Sequence, residues 1–164
     1  MRFSEIIGQK NIKNALISSI KKDRISHAQL FLGKNGYGTL PLVLAYSQYL
    51  NCENQFDDDS CGRCSNCVQM AKLQHPDVHI TYPIVTNEKN KKSNIYLKEW
   101  RAFCSKNKYF NLQQWYNYIK KDQKTGGIYV HEAEEINKAI KLKPFIGKFK
   151  IIIIWNAEYM NTEV

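Results

Sequence analysis

The spacing Cys52-x8-Cys61-x2-Cys64-x2-Cys67 constrains this chain more than any other feature it carries. A C-x2-C step lets one turn aim two sulfurs at a common point, and four thiolates are the donor set of a tetrahedral, structural Zn2+. Gly62 falls inside the turn between Cys61 and Cys64, where a backbone free to adopt positive φ is useful. A catalytic zinc keeps one position open to water. Four closely spaced cysteines leave none open, so the expected role is structural and no zinc chemistry is expected. Two disulfides, or four unrelated thiols, are the competing readings of the same residues. Structural Zn2+ in small modules is worth about 10–16 kcal/mol of apparent binding free energy, enough to order a stretch as polar as residues 53–60. The fifth cysteine, Cys104, shares an apolar helical face with Trp100 and Phe103 and reads as a small core residue.

Metal rather than disulfides presumes a reducing compartment, and the rest of the chain fits one. The N-terminus, Met1-Arg2-Phe3-Ser4-Glu5, lacks the apolar stretch of a signal peptide. The longest apolar run, residues 151–155, is far short of the ~20 residues that cross a bilayer. A cytoplasmic protein without membrane contact is expected. Its 164 residues, 43% hydrophobic, suit one domain or a piece of one. The formal charge of +9 would suit a nucleic-acid or acidic-protein partner. Its lysines are scattered along the chain, however, as on an ordinary solvated surface.

Hydrophobic periodicity places the remaining elements. Ile12, Ala15, Leu16 and Ile20 predict an amphipathic helix over 9–22. Residues 28–32 form a short apolar run of buried-strand type, and a second helix carries Leu40, Val43, Leu44, Ser47 and Leu50 on one face. A short helix over 68–73, a strand over 78–82 and a polar loop over 86–94 follow. Two aromatic helical patterns come next, Tyr96/Leu97/Trp100/Phe103 and Leu112/Trp115/Tyr116/Ile119. Gly126-Gly127 breaks the chain before a helix centred on Ala133, Ile136, Asn137 and Ile140, and residues 150–154 are a β-branched strand. Strands alternating with helices predict an α/β sandwich with a mostly parallel central sheet. Two or three strands are few for such a sheet, and residues 159–164 read as the opening of a further helix, so a fragment of a longer chain is expected.

Between the first predicted strand and the second helix lies Gly33-Lys34-Asn35-Gly36-Tyr37-Gly38-Thr39-Leu40. Strand, glycine loop and helix come in the order of a phosphate-binding P-loop, G-x4-G-K-[ST]. Thr39 stands where the phosphate-binding lysine belongs and Leu40 where a hydroxyl should hold Mg2+. Gly33, Gly36, Gly38 and Thr39 are therefore candidate nucleotide contacts of a degenerate loop, with ATP not expected as a cofactor. Weak anion binding by the loop backbone, or a chance set of glycines, stays open. Directly after the strand 151–154, Trp155 and Asn156 occupy the places where P-loop ATPases carry the Asp-Glu pair. Two sites needed for one reaction are altered together, and one cause, a core that does not hydrolyse ATP, accounts for both. No catalytic residue is expected. His27, His75 and His79 are dispersed, and the basic, aromatic stretch 96–119 has the helical spacing of a packed core rather than of a base-stacking platform. Glu132, Glu134 and Glu135 suit the positive end of a helix.

These residues resemble a known family. Phe3-Ser4-Glu5-Ile6-Ile7-Gly8-Gln9, Ser26-His27-Ala28-Gln29-Leu30-Phe31-Leu32-Gly33, the four-cysteine module followed by His75-Pro76-Asp77, and Ala157-Glu158-Tyr159-Met160-Asn161 look like the N-terminal part of bacterial clamp-loader AAA+ subunits. The resemblance runs over residues 1–82 and 128–164. It implies a three-layer P-loop NTPase (AAA+) core over 1–164, with a zinc module inserted at 51–74 and an elaboration at 86–127. It further implies a non-hydrolysing ring subunit of the DNA polymerase III clamp loader, which places a sliding clamp on primed DNA. The implied partners are the gamma/tau and delta subunits, and primed DNA through the assembled complex. Lid and collar domains, and the arginine offered to a neighbour's nucleotide, would lie beyond Val164. An active ATPase of gamma/tau type and a zinc module that binds nucleic acid are the alternatives.

Overall fold

Apolar residues recurring at helical spacing give α1 (Lys10–Lys21) and α2 (Thr39–Leu50). The computed structural model describes residues 1–86, 92–121 and 126–161. α2 is buried along almost its whole length and separates two cores. Leu40 and Leu44, one turn apart, enter a core rich in aromatic side chains. Leu42, Ala45, Tyr46 and Tyr49 enter a second core with Phe3, Ile6 and Ile17. The four cysteines form a third buried group. α3 (Ser65–Ala71) belongs to the cysteine module and leads through His75-Pro76-Asp77 into β1 (Val78–Thr81).

β1 pairs in parallel with β2 (Ile151–Ile154), in the register Val78↔Ile151 through Thr81↔Ile154. Parallel neighbours need a long crossover. Here it contains α4 (Leu97–Lys106), α5 (Leu112–Tyr118) and α6 (Val130–Lys141). The first two carry the aromatic pattern into the core. Tyr82 stacks on Trp100 at 3.9 Å, and Trp115 meets Trp100 edge-on at 5.0 Å while its indole N–H donates to Pro83 O. Packing therefore uses the aromatic residues of this stretch. Cys104 is half-buried against the same core, and burial pushes its thiol up to about 12.

One expected strand is not formed. Residues 28–32 form no regular element and pair with no strand among the described residues, and Leu30 and Leu32 are 78% and 84% exposed. A strand is stabilised by its ladder, and here a cleft of about 750 Å3, lined by Leu30 and Leu32 and by Ile152 and Ile154 of β2, adjoins both segments. Among the described residues the parallel sheet has two strands. Ala157–Tyr159 forms a single 3-10 turn where a helix was expected to open, and Met160 then bridges Ile128 in parallel. Residues 87–91 of the expected polar loop and 162–164 of the expected terminal helix lie outside the described residues.

Candidate metal centre and glycine loop

The chain places its four cysteines with backbone donors. Cys52 follows the last turn of α2, Cys61 and Gly62 (φ +71°) make the turn, Cys64 caps α3, and Cys67 lies in its first turn. The N–H of Cys61 donates to Cys52 Sγ at 3.3 Å, that of Cys64 to Cys61 Sγ at 3.3 Å, and that of Cys67 to Cys64 Sγ at 3.4 Å. All four sulfurs lie within 4.8 Å of one another, and those of Cys61 and Cys67 are 3.9 Å apart. Four sulfurs at ~2.3 Å from one tetrahedral ion stand about 3.8 Å apart, close to the Cys61–Cys67 separation, so this set suits a metal. None of the four is in a disulfide. Burial raises the Cys61 thiol, but the N–H groups of Arg63 and Cys64 outweigh it and bring it to about 6; burial pushes Cys67 the other way. A divalent cation would hold all four as thiolates.

Residues of the module that sequence reasoning passed over join it to the rest of the fold. Asp59, within the polar stretch 53–60, is buried and accepts the N–H groups of Phe3 and Ser4 at 2.9 Å each. Asn66 donates from Nδ2 to Asn51 O at 2.8 Å, and its Oδ1 lies 3.1 Å from His75 Nε2. The Asp77 N–H donates to His75 Nδ1, which leaves Nε2 as the donor to Asn66. Burial lowers the His75 pKa, so the ring is neutral and serves the network, not the metal. The only local hint is the composition of His75-Pro76-Asp77, which marks a turn and not these bonds.

Of the glycine loop, Gly36 (φ +82°) and Gly38 (φ +94°) require the left-handed region, and Gly38 is the N-cap of α2. A Cβ on Gly33 would stand 2.6 Å from Thr39 Oγ1, so the start of the loop and the start of α2 touch. Leu40 points into the aromatic core. A Cβ on Gly38 would stand 2.7 Å from Tyr109 Cε1. That ring is held over the loop by the Ile7 N–H, which donates to its hydroxyl at 2.7 Å, and by the neighbouring ion pair Lys108–Glu5 at 2.9 Å. Neither contact has a signal in sequence, because Tyr109 is 71 positions from Gly38. Beyond β2, Trp155 packs on Trp100 and Phe110 at 5.3 and 5.2 Å, and Asn156 is left-handed at φ +55°.

Glu132 is a further missed residue. Read as a helix-end charge, it is buried and accepts Ser93 N at 2.7 Å, Ser93 Oγ at 2.8 Å and Thr81 Oγ1 at 3.1 Å, with His79 Nε2 3.5 Å away. Burial alone would raise its carboxyl; the donors outweigh burial and lower it. His27 stays exposed and apart from these groups, so the three histidines do not converge.

The profile of a family described as "DNA polymerase III, delta subunit" matches residues 8–164. The chain belongs to this family. A curated relative, the DNA polymerase III subunit delta' of Bacillus subtilis, is 37% identical over 75 residues, 46% of this chain and 22% of that protein. The tau/gamma subunit of Haemophilus influenzae is 35% identical over 65 residues, 40% of this chain and 9% of the relative. The gamma subunit of Buchnera aphidicola subsp. Baizongia pistaciae is 34% identical over 77 residues, 47% and 21% respectively. The matched stretch thus spans less than a quarter of each relative. This member of the DNA polymerase III clamp-loader family has a mixed helix-and-strand fold with a small parallel sheet and a four-cysteine cluster able to hold a metal. No helix among the described residues is long and apolar enough to cross a membrane.

Proposed function

We propose that residues 1–164 are AAA+ core of a non-hydrolysing, delta-prime-type subunit of the bacterial DNA polymerase III clamp loader, acting in the cytoplasm during replication. The observation that carries this reading is the glycine loop. Thr39 replaces the lysine charge, Leu40 is committed to the core, and Tyr109 lies against Gly38 where a phosphate would approach. Trp155, packed among aromatic rings, stands where a metal-linked carboxylate would be needed. Gly33, Gly36, Gly38 and Thr39 then keep a phosphate loop's path without its chemistry. Residues 51–74 form an inserted module in which Cys52, Cys61, Cys64 and Cys67 hold one structural Zn2+. Residues 86–127 form an elaboration whose aromatic side chains complete the core and cover the loop. Gamma/tau and delta are the proposed neighbours, with primed DNA met through the assembly.

A gamma/tau-type ATPase is the second reading, because relatives of that name match over similar lengths. Purified full-length protein, free of gamma/tau, decides between them. The scaffold reading expects no ATP turnover above background and no thermal stabilisation by Mg-ATP. Turnover at rates usual for enzymes, on the order of 1 s-1 or more, overturns it.

A further inference from the structure

Residues 139–150, Ala-Ile-Lys-Leu-Lys-Pro-Phe-Ile-Gly-Lys-Phe-Lys, carry four lysines and no acid. They run from the end of α6 to the start of β2. Phe145 is 82% exposed, and Ile140, Leu142 and Ile146 are exposed as well. An apolar residue this exposed is unremarkable on a floppy loop, but this loop is held at both ends. The carboxylate of Asp77, itself fully buried, accepts three successive N–H groups, from Phe145, Ile146 and Gly147, at 2.7–2.8 Å. Asn51 then grips Phe149 twice, accepting its N–H at 2.8 Å and donating to its carbonyl at 3.0 Å. A Cβ on Gly147 would stand 2.8 Å from the Asn51 side chain, so the fit is close. The fold thus fixes the backbone of a loop whose apolar side chains face solvent. Binding surfaces gain affinity from this preorganisation, because less freedom is lost on association.

The charge around the apolar side chains selects the partner. Lys141, Lys143 and Lys148 are exposed, and none is in an ion pair among the described residues. Three of the four exposed apolar side chains are aliphatic and have no ring to stack on a base, which disfavours single-stranded nucleic acid. We propose that the segment from Ile140 to Lys148 is a docking surface for a protein partner whose apolar cleft, entered by Phe145 and Ile146, is rimmed by carboxylates. The inference deepens the clamp-loader reading and rests on it: the partner is another protein of that assembly.

The test measures affinities of the full-length protein for gamma/tau, for delta, for the sliding clamp and for primed duplex DNA, each purified separately. The variants are Phe145→Ala, and Lys143→Glu combined with Lys148→Glu. Both change side chains that are exposed in residues 1–164 and should leave the circular dichroism and melting of the full-length protein unaltered. A lowered melting temperature would mean that the chain itself covers the patch, and the docking surface is wrong. Phe145→Ala should weaken binding to one of the three proteins by about tenfold or more, as truncating an interface anchor does. The charge reversal should weaken the same complex, and DNA affinity should not move with Phe145→Ala. If Phe145→Ala binds all three proteins as wild type does, or loses only DNA, the docking surface is wrong. If wild type binds none of the three proteins, the clamp-loader reading fails and the proposal falls with it.

Discussion

A glycine can be required by its own backbone, by the space beside it, or by both, and two positions of this chain separate those causes. Gly8 has φ +64° with nothing within 4 Å of an added Cβ, whereas Gly38 combines φ +94° with the Tyr109 ring 2.7 Å away. Gly8→Ala should therefore lower stability by about 1–2 kcal/mol, the left-handed penalty alone. Gly38→Ala should add an overpacking penalty of about 1–3 kcal/mol, since Tyr109 is tethered through its hydroxyl to Ile7 and cannot swing clear. Urea denaturation of the four variants of a Gly38→Ala, Tyr109→Ser cycle measures this. In the Tyr109→Ser background the Gly38→Ala loss should shrink to that of Gly8→Ala. An unchanged loss would mean that the ring does not press on the loop.

Beside the apolar cores, a few buried polar residues join elements across long stretches of chain. Asp77 is the clearest case. Burial would raise its carboxyl, but three N–H donors and Lys150 Nζ at 3.1 Å hold it well below the usual carboxylate range. A depressed folded pKa contributes stability that is complete above the unfolded value, about 3.9, and is lost as pH falls through the folded one. Asp77→Asn should cost about 3 kcal/mol or more at neutral pH, because an amide nitrogen then faces backbone donors in a buried site. Its stability should also fall less steeply than wild type below pH 4; parallel acid limbs in chemical unfolding would remove Asp77 from that role. The cysteine module makes a second joint. Elemental analysis should find about one metal per chain, and Cys64→Ser should abolish it. Chelation should lower the Tm, because Asn66 on α3 ties the module to Asn51 and His75. A Tm indifferent to metal would refute the joint. The helices and the cysteine cluster were legible in sequence because periodicity and C-x2-C spacing are local patterns. Asp77, Glu132 and Asn51 were not, since each acts on backbone or side chains 39 to 98 positions away and leaves no periodic trace.

At the scale of the whole molecule, sequence and structure part at the sheet. Residues 28–32 have the composition of a buried strand, but composition states only that a segment should be covered, not by what. The ladder that would cover it needs a neighbour, and among the described residues it has none. What remains is an apolar cleft of about 750 Å3 lined by this segment and the β2 strand. Leu30 and Leu32 are largely exposed beside it, and among the described residues β2 has a neighbouring strand on one side alone. Exposed edges and apolar patches of this kind pair with other chains. The polypeptide 1–164, prepared alone, should therefore self-associate as its concentration rises despite a formal charge of +9, which opposes contact between copies. Higher ionic strength should strengthen the association by screening that repulsion. Leu30→Asp with Leu32→Asp should return it to a monomer, because two carboxylates would have to be desolvated in the contact. Sedimentation across a range of concentration and salt reads both effects. A monomer at all concentrations, or association indifferent to the two substitutions, would mean that this cleft is not where copies meet.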